Sequence, residues 1–261
     1  MDQSRLNALN AWFDSYVEPF LDTDREGARN IQLKIVHTRK VCEVMELLCD
    51  GEGLSPEETR IASAIALLHD VGRFYQYLRW RTFRDSDSDN HARLAIDVIR
   101  AERLLVGLVQ HERLLIEEAV RFHNLLELPR QIQSPSRLFI NLIRDADKLD
   151  IWRVFVELQT LPPGERASAA TLGFADLPDE VSGDCLKTLA GGSIVHLDDV
   201  RSLNDFRLLQ ISWVYDLNCA TARRILLERG HIPVLAASLP KRDDVRAAVS
   251  KALASLSSIS A

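Results

Sequence analysis

Six residues in the first 150 form a candidate set of the kind divalent metals take as ligands: His37, the adjacent pair His69-Asp70, His91, His123 and Asp147. Imidazole nitrogen and carboxylate oxygen together are the donor set of ions that perform hydrolytic or oxygen chemistry. Any one of these histidines, alone, reads as an ordinary core or surface residue. The set carries more, because its members fall about one per predicted helix, near polar breaks, where antiparallel packing can bring them together. His69 and Asp70 sit side by side at a helix end, where relaxed geometry can aim both at one centre. Asp147 belongs to Asp145-Ala146-Asp147-Lys148-Leu149-Asp150, a carboxylate cluster costly to bury unpaired. Its apolar neighbours Ile143, Leu149 and Ile151 turn part of it inward.

The elements that must position these residues are helical. Leu6, Leu9, Trp12, Phe13, Tyr16 and Val17 form an apolar stripe at helix spacing that ends near Pro19. A second helix over about 29–48 carries Ile31, Ile35, Val41, Val44, Met45 and Leu48, with His37 inside it, until Gly51-Glu52-Gly53 breaks it. Ser55, Pro56 and Glu58 spell a capping box with proline at the first helical position, and the helix they open delivers His69-Asp70 at its end. Gly72 then lets the backbone turn or a ligand approach. Residues 81–90 read as a polar loop with Asp89 or Asn90 capping the helix that His91 opens. Further helices run from about Arg113 to His123 and from Ser134-Pro135 through Asp147 to Trp152 and Phe155. Pro162-Pro163-Gly164 marks the best boundary, giving domains 1–160 and 161–261. Beyond it residues 164–202 are mixed, with a turn expected at Gly191-Gly192. Helical pattern resumes over about 204–228 and 241–256, and the Ala/Ser-rich tail after Lys251 is expected to fray.

Composition bounds the partners. With 46% hydrophobic and 27% charged residues the chain is globular, and 261 residues suffice for a sizeable core. A net charge of -6 argues against a nucleic-acid polymer as partner. No apolar run reaches membrane-span length, and Met1-Asp2-Gln3-Ser4-Arg5 lacks a signal-peptide pattern, so no membrane is expected and the expectation is a cytoplasmic protein. Cys42, Cys49, Cys185 and Cys219 form no C-x-x-C pair and read as buried, reduced thiols.

The ordered set His37 … His69-Asp70 … Asp147 resembles the HD superfamily of metal-dependent phosphohydrolases. Leu67-Leu68-His69-Asp70-Val71-Gly72-Arg73 looks like that family's central signature, and Ala146-Asp147-Lys148-Leu149 like its distal element. The likeness covers about residues 30–155. It implies an all-α bundle of antiparallel helices with the site at its centre and a C-terminal helical extension packing on that core. His91 in Asn90-His91-Ala92-Arg93 and His123 in Arg121-Phe122-His123-Asn124 resemble the extra ligands of two-metal members. On that likeness Asp70 bridges two ions, His37, His69 and Asp147 complete one shell, and His91 and His123 complete the other. The alternative is one ion with those two histidines behind the ligands. Asp145 and Asp150 are then carboxylates at the surface or behind the ligands.

The resemblance implies an enzyme holding one or two divalent ions (manganese, iron, magnesium, cobalt or nickel). It would cleave a phosphate ester of a nucleotide or other small phosphorylated metabolite with a metal-bound hydroxide. Asp70 and Arg73 are its candidate catalytic residues: one turn past the pair, Arg73 can hold a phosphate with its planar fork, or else it is a solvated helix-end arginine. Lys148 is expected to be exposed, and His111, His196 and His231 to lie at the surface. Gly72 stands where the nucleotidase branch carries a glutamate, which counts against a 5′-nucleotidase, and no GYP element marks a cyclic-di-GMP phosphodiesterase. Two other classes remain: an HD-fold di-iron oxygenase, and a metal-binding regulatory module without turnover. A homodimer is compatible with either.

Overall fold

Side-chain caps at Asp2, Asp24, Ser55 and Asn90 set the starts of four helices in the first 150 residues. The computed structural model describes residues 1–162 and 165–257; it is all-α, with no strand among the described residues. Asp2 caps α1 (Gln3–Val17), which passes into a short 3-10 turn containing Pro19. Asp24 caps α2 (Arg25–Gly51), so this helix begins a turn earlier than its apolar stripe. Ser55 and Glu58 form the expected capping box on α3 (Pro56–Leu68), and His69 closes that helix. After the turn at Asp70-Val71 comes α4 (Gly72–Trp80), then α5 (His91–Ala101) with Asn90 as cap. Next are α6 (Gln110–Phe122), starting three residues before the predicted Arg113, and α7 (Ser136–Thr160).

The chain divides into two compact units, Met1–Asp150 with Glu165–Leu172, and the described residues of Ile151–Gly164 and Gly173–Ala261. In the first, α2 packs on α3, α3 and α5 on α6, α4 on α5, and α1 on α3. Ile31, Met45, Leu48, Ile65, Leu67, Leu68, Phe74, Ile99, Ile116 and Phe139 are fully buried among them. Each contributes about 1.5–3 kcal/mol. That apolar burial offsets the presence of Asp70, Asp145 and Asp150 in the same interior, since removing an ion from water costs several kcal/mol before pairing.

Two contacts hold the His69-Asp70 turn in place. The Tyr16 hydroxyl donates to the Val71 carbonyl at 3.0 Å, and burial within the aromatic cluster of Phe13, Phe20, Phe74 and Tyr75 pushes its pKa up. At Gly72 the expected turn or ligand approach is instead a helix crossing. A Cβ there would meet the His91 carbonyl oxygen at 2.3 Å and the Ala95 nitrogen at 2.5 Å. The glycine therefore lets the first turn of α5 close on α4, which is what brings His91 beside the pair.

The second unit contains the Ile151–Thr160 part of α7, α8 (Gly183–Gly191), α9 (Leu203–Ser212), α10 (Ala220–Arg229), α11 (His231–Ala237) and α12 (Asp243–Ser257). Buried Trp152 donates from Nε1 to the Gln210 carbonyl at 3.1 Å, and Phe155 meets Phe206 edge-on at 5.2 Å. The stretch expected as one helix over 204–228 is broken. After α9 the chain tightens into a 3-10 turn at Trp213–Asp216 and extends at Leu217, because buried Val214 and Leu217 pack there off the α-helical repeat. Gly192 and Gly230 are both left-handed; the first makes the predicted turn, and the second separates α10 from the unpredicted α11. Pro163 and Gly164 of the expected boundary, and the last residues of the tail, lie outside the described residues. Cys49, Cys185 and Cys219 are buried and Cys42 half-buried, all as free thiols. No helix among the described residues is long and apolar enough to cross a membrane.

Candidate metal centre

All six sequence candidates come together inside the first unit. His37 stands mid-way along α2, His69 and Asp70 at the α3–α4 junction, His91 at the first residue of α5, His123 at the end of α6, and Asp147 on α7. They form two overlapping groups, His37 with His69 and Asp70, and Asp70 with His91 and His123, each with its ligand atoms within 4.8 Å of one another. Asp147 joins the first, its Oδ1 lying 3.0 Å from His37 Nε2 and 3.8 Å from His69 Nε2. The two oxygens of Asp70 face different ways. Oδ2 lies 3.7 Å from His37 Nε2 and 3.8 Å from His69 Nε2, while Oδ1 lies 3.6 Å from His91 Nε2. One carboxylate thus serves both groups.

Every imidazole is fixed from behind through Nδ1. His69 Nδ1 donates to the Ala66 carbonyl and His123 Nδ1 to the Val120 carbonyl, both at 2.7 Å. Both histidines close a helix, where the last carbonyls have no intrahelical partner, so the ring caps the helix and the helix sets the tautomer. His37 Nδ1 donates to Asp150 Oδ2 at 2.7 Å, and His91 Nδ1 to Asp85 at 2.7 and 2.9 Å. Carbonyls and carboxylates only accept, so Nδ1 carries a proton in all four rings, and wherever the ring is neutral Nε2 presents a lone pair inward. A carboxylate or carbonyl behind a ligating histidine is the arrangement that orients metal ligands.

The inward atoms are left with an unmet demand. His37 Nε2, His69 Nε2 and Asp147 Oδ1 are buried without a hydrogen-bond partner. His91 Nε2 and His123 Nε2 face each other at 3.0 Å, lone pair to lone pair, with Arg73 Nη2 3.3 Å from the former. Burial lowers the pKa of His69, His91 and His123, the last to about 3, with Arg73 adding to the effect on His91 and the neighbouring imidazoles on His123. A shared proton is therefore not held there at neutral pH. Burial also opposes ionisation of Asp70 and Asp147, but Lys34, His69, Arg73 and His91 around the one, and His37 and His69 around the other, hold both carboxyls below the usual range. Burial and Lys34 press the His37 pKa down, yet the Asp147 and Asp150 carboxylates outweigh them and raise it. Converging imidazole nitrogens and carboxylates, with His37 Nε2, His69 Nε2 and Asp147 Oδ1 left unpartnered, fit a divalent cation.

Two residues that the sequence reading passed over, Asp85 and Lys34, belong to this centre, together with Asp150, which it put at the surface or behind the ligands. Asp150, fully buried, orients His37; its spacing of three from Asp147 puts both on one face of α7. Asp85 lies in the loop read only as polar. Its carboxylate takes His91 Nδ1, Arg73 Nη1, Gln76 Nε2 and Asn124 Nδ2. Lys34, one turn before His37, donates to Asp70 Oδ2 at 2.7 Å. Arg73 is no solvated helix-end residue, since its side chain is only 14% exposed. It donates to Gln76 Oε1 (2.8 Å), the Phe83 carbonyl (2.6 Å) and Asp85 Oδ1 (3.0 Å), with Nε 3.4 Å from Asp70 Oδ1. Lys148 is buried rather than exposed, because it lies on the inward side of α7, and His231 is half-buried at the start of α11; His111 and His196 are exposed.

Asp85 gives a first expected result. Asp85→Asn removes the charge that holds His91 Nδ1–H, so affinity of the Asp70-His91-His123 group for manganese should fall roughly 10–100-fold. The His37-His69-Asp147 group should keep its ion. Titration followed by metal analysis reads both, and an unchanged binding curve would remove Asp85 from the centre.

Residues 35–152 match the HD domain family. The HD domain defines a superfamily of metal-dependent hydrolases, and the buried histidine and aspartate groups here are compatible with its metal site. Neither curated proteins nor solved structures give a match to the chain.

Proposed function

We propose that this protein is a metal-dependent phosphohydrolase acting on a phosphate ester of a nucleotide or other small phosphorylated metabolite. The observation that carries the reading is the convergence of four Nδ1-protonated imidazoles and two carboxylates on one buried region, where His37 Nε2, His69 Nε2 and Asp147 Oδ1 have no hydrogen-bond partner. His37, His69 and Asp147 would hold one ion and His91 and His123 a second, with Asp70 common to both. Bound divalent ions supply Lewis-acid polarisation of a phosphoryl oxygen and a water of lowered pKa. The chain's own part is to fix the ligands through Asp150, Asp85 and the helix-end carbonyls, and to present positive charge beside them. Lys34 and Arg73 flank Asp70 from opposite oxygens, and each is partly open to solvent. Two cations at the edge of the cluster favour an anionic substrate over the neutral one an oxygenase could take.

The test is a screen of phosphorylated metabolites, with nucleotides and generic phosphomonoesters and diesters, on protein reloaded with manganese, cobalt or iron. Chelator-sensitive release of phosphate or alcohol is expected. Oxygen uptake by the iron-loaded protein without hydrolysis would make it an oxygenase instead, and bound metal with neither activity would make it a binding module.

A further inference from the structure

Within that hydrolase reading, on which this inference rests, we propose that Lys34 is the residue that holds the substrate's phosphate, and that Arg73 is a positioning residue for Asp70 and His91. On α2, Lys34 shares a face with Asn30 and Thr38, one turn to either side, and both are fully buried. A lysine on that face points inward. Its side chain is nevertheless 14% exposed, so the residue lies at the open edge of the cluster rather than sealed within it. The nitrogen is 2.7 Å from Asp70 Oδ2, the oxygen that also faces His37 and His69. An anion reaching ions held by those residues arrives beside it.

The two cations differ in what they have left to give. An ammonium carries three donors and no acceptor. Asp70 takes one of them and is the only hydrogen-bond acceptor for Lys34 among the described residues. The Phe83 ring, 5.3 Å from the nitrogen, steers the ammonium without consuming a proton. Arg73 has less to spare: Nη1 is shared among Gln76, the Phe83 carbonyl and Asp85, Nε reaches Asp70, and one of the two Nη2 N–H groups lies against His91. Turning that fork towards a substrate would strip Asp85 of a partner and leave the Phe83 carbonyl unmet, whereas Lys34 need move nothing. A compact charge on a flexible stem also suits a phosphate whose position is dictated by metals rather than by the side chain.

Inorganic phosphate, as the product of the proposed reaction, is the probe. Calorimetric titration of phosphate into manganese-loaded protein should give a dissociation constant at least about tenfold higher for Lys34→Met than for wild type. Metal content and circular dichroism should be unchanged, and Lys34→Arg should recover most of the affinity. Arg73→Met should instead lower metal content, with near wild-type phosphate affinity once metal is saturating. Wild-type phosphate affinity in Lys34→Met overturns the assignment and leaves the hydrolase reading standing. Loss of metal from both Lys34 variants also overturns it, making the lysine a counter-charge for Asp70. A wild-type protein that holds manganese yet binds no phosphate overturns both.

Discussion

Asp70→Asn should empty both halves of the centre at once and lower kcat/KM by about a thousandfold or more, the loss of several kcal/mol of metal-derived stabilisation. Among the described residues no other is common to both groups: Asp70 Oδ2 faces His37 and His69 while Oδ1 faces His91. Asparagine keeps the shape but replaces one oxygen with an NH2 group that cannot ligate. It also withdraws the negative charge that Lys34 and Arg73 both contact. Breaking a buried pair costs about 3–5 kcal/mol; both cations here keep some access to solvent, so the loss of stability should be smaller, a fall of several degrees in Tm. Metal analysis, a thermal melt and kinetics on one preparation separate these effects. Full metal content in the variant would mean that Asp70 is not a ligand.

The second large effect is selective. His91→Ala and His123→Ala should each reduce bound metal from two ions per chain towards one, with the fold intact and activity largely lost. The reason is the division of the ligand set, in which His37, His69 and Asp147 stand on the other side of Asp70 from these two rings. Their Nε2 atoms, 3.0 Å apart, share one position, so either truncation opens it. His111→Ala and His196→Ala, both at exposed residues, should leave metal content unchanged. Equal stoichiometry in wild type and both inner variants would take His91 and His123 out of the ligand set.

What could be read from the residues alone follows from how local each signal is. The capping box at Ser55 and the apolar stripe of α2 act over one or two turns, so the helices that carry His37 and His69-Asp70 are legible, as are the six candidate ligands by side-chain type. Asp150 was available from its spacing to Asp147 on one helix face. Asp85 was not: Asp85, Asp87 and Asp89 alternate with serines in one loop, and only the crossing at Gly72 decides which of them meets His91. Lys34 illustrates the opposite failure, because a lysine in a helix reads as solvated until tertiary packing shows the face it shares with Asn30 and Thr38. In the second unit α8 and α11 are short and bordered by glycine, and the break after α9 carries neither glycine nor proline, so packing rather than local pattern sets those boundaries.

The central claim is that one buried cluster holds two divalent ions through a shared Asp70. Electron paramagnetic resonance of the protein titrated with manganese tests it most directly, because two manganese ions bridged by a carboxylate couple magnetically and separate ions do not. The account predicts binding that saturates at two ions per chain with the signal of a coupled pair, reduced in His91→Ala to that of an isolated ion. Protein that binds no manganese, or that binds it only as isolated ions up to saturation, would contradict it.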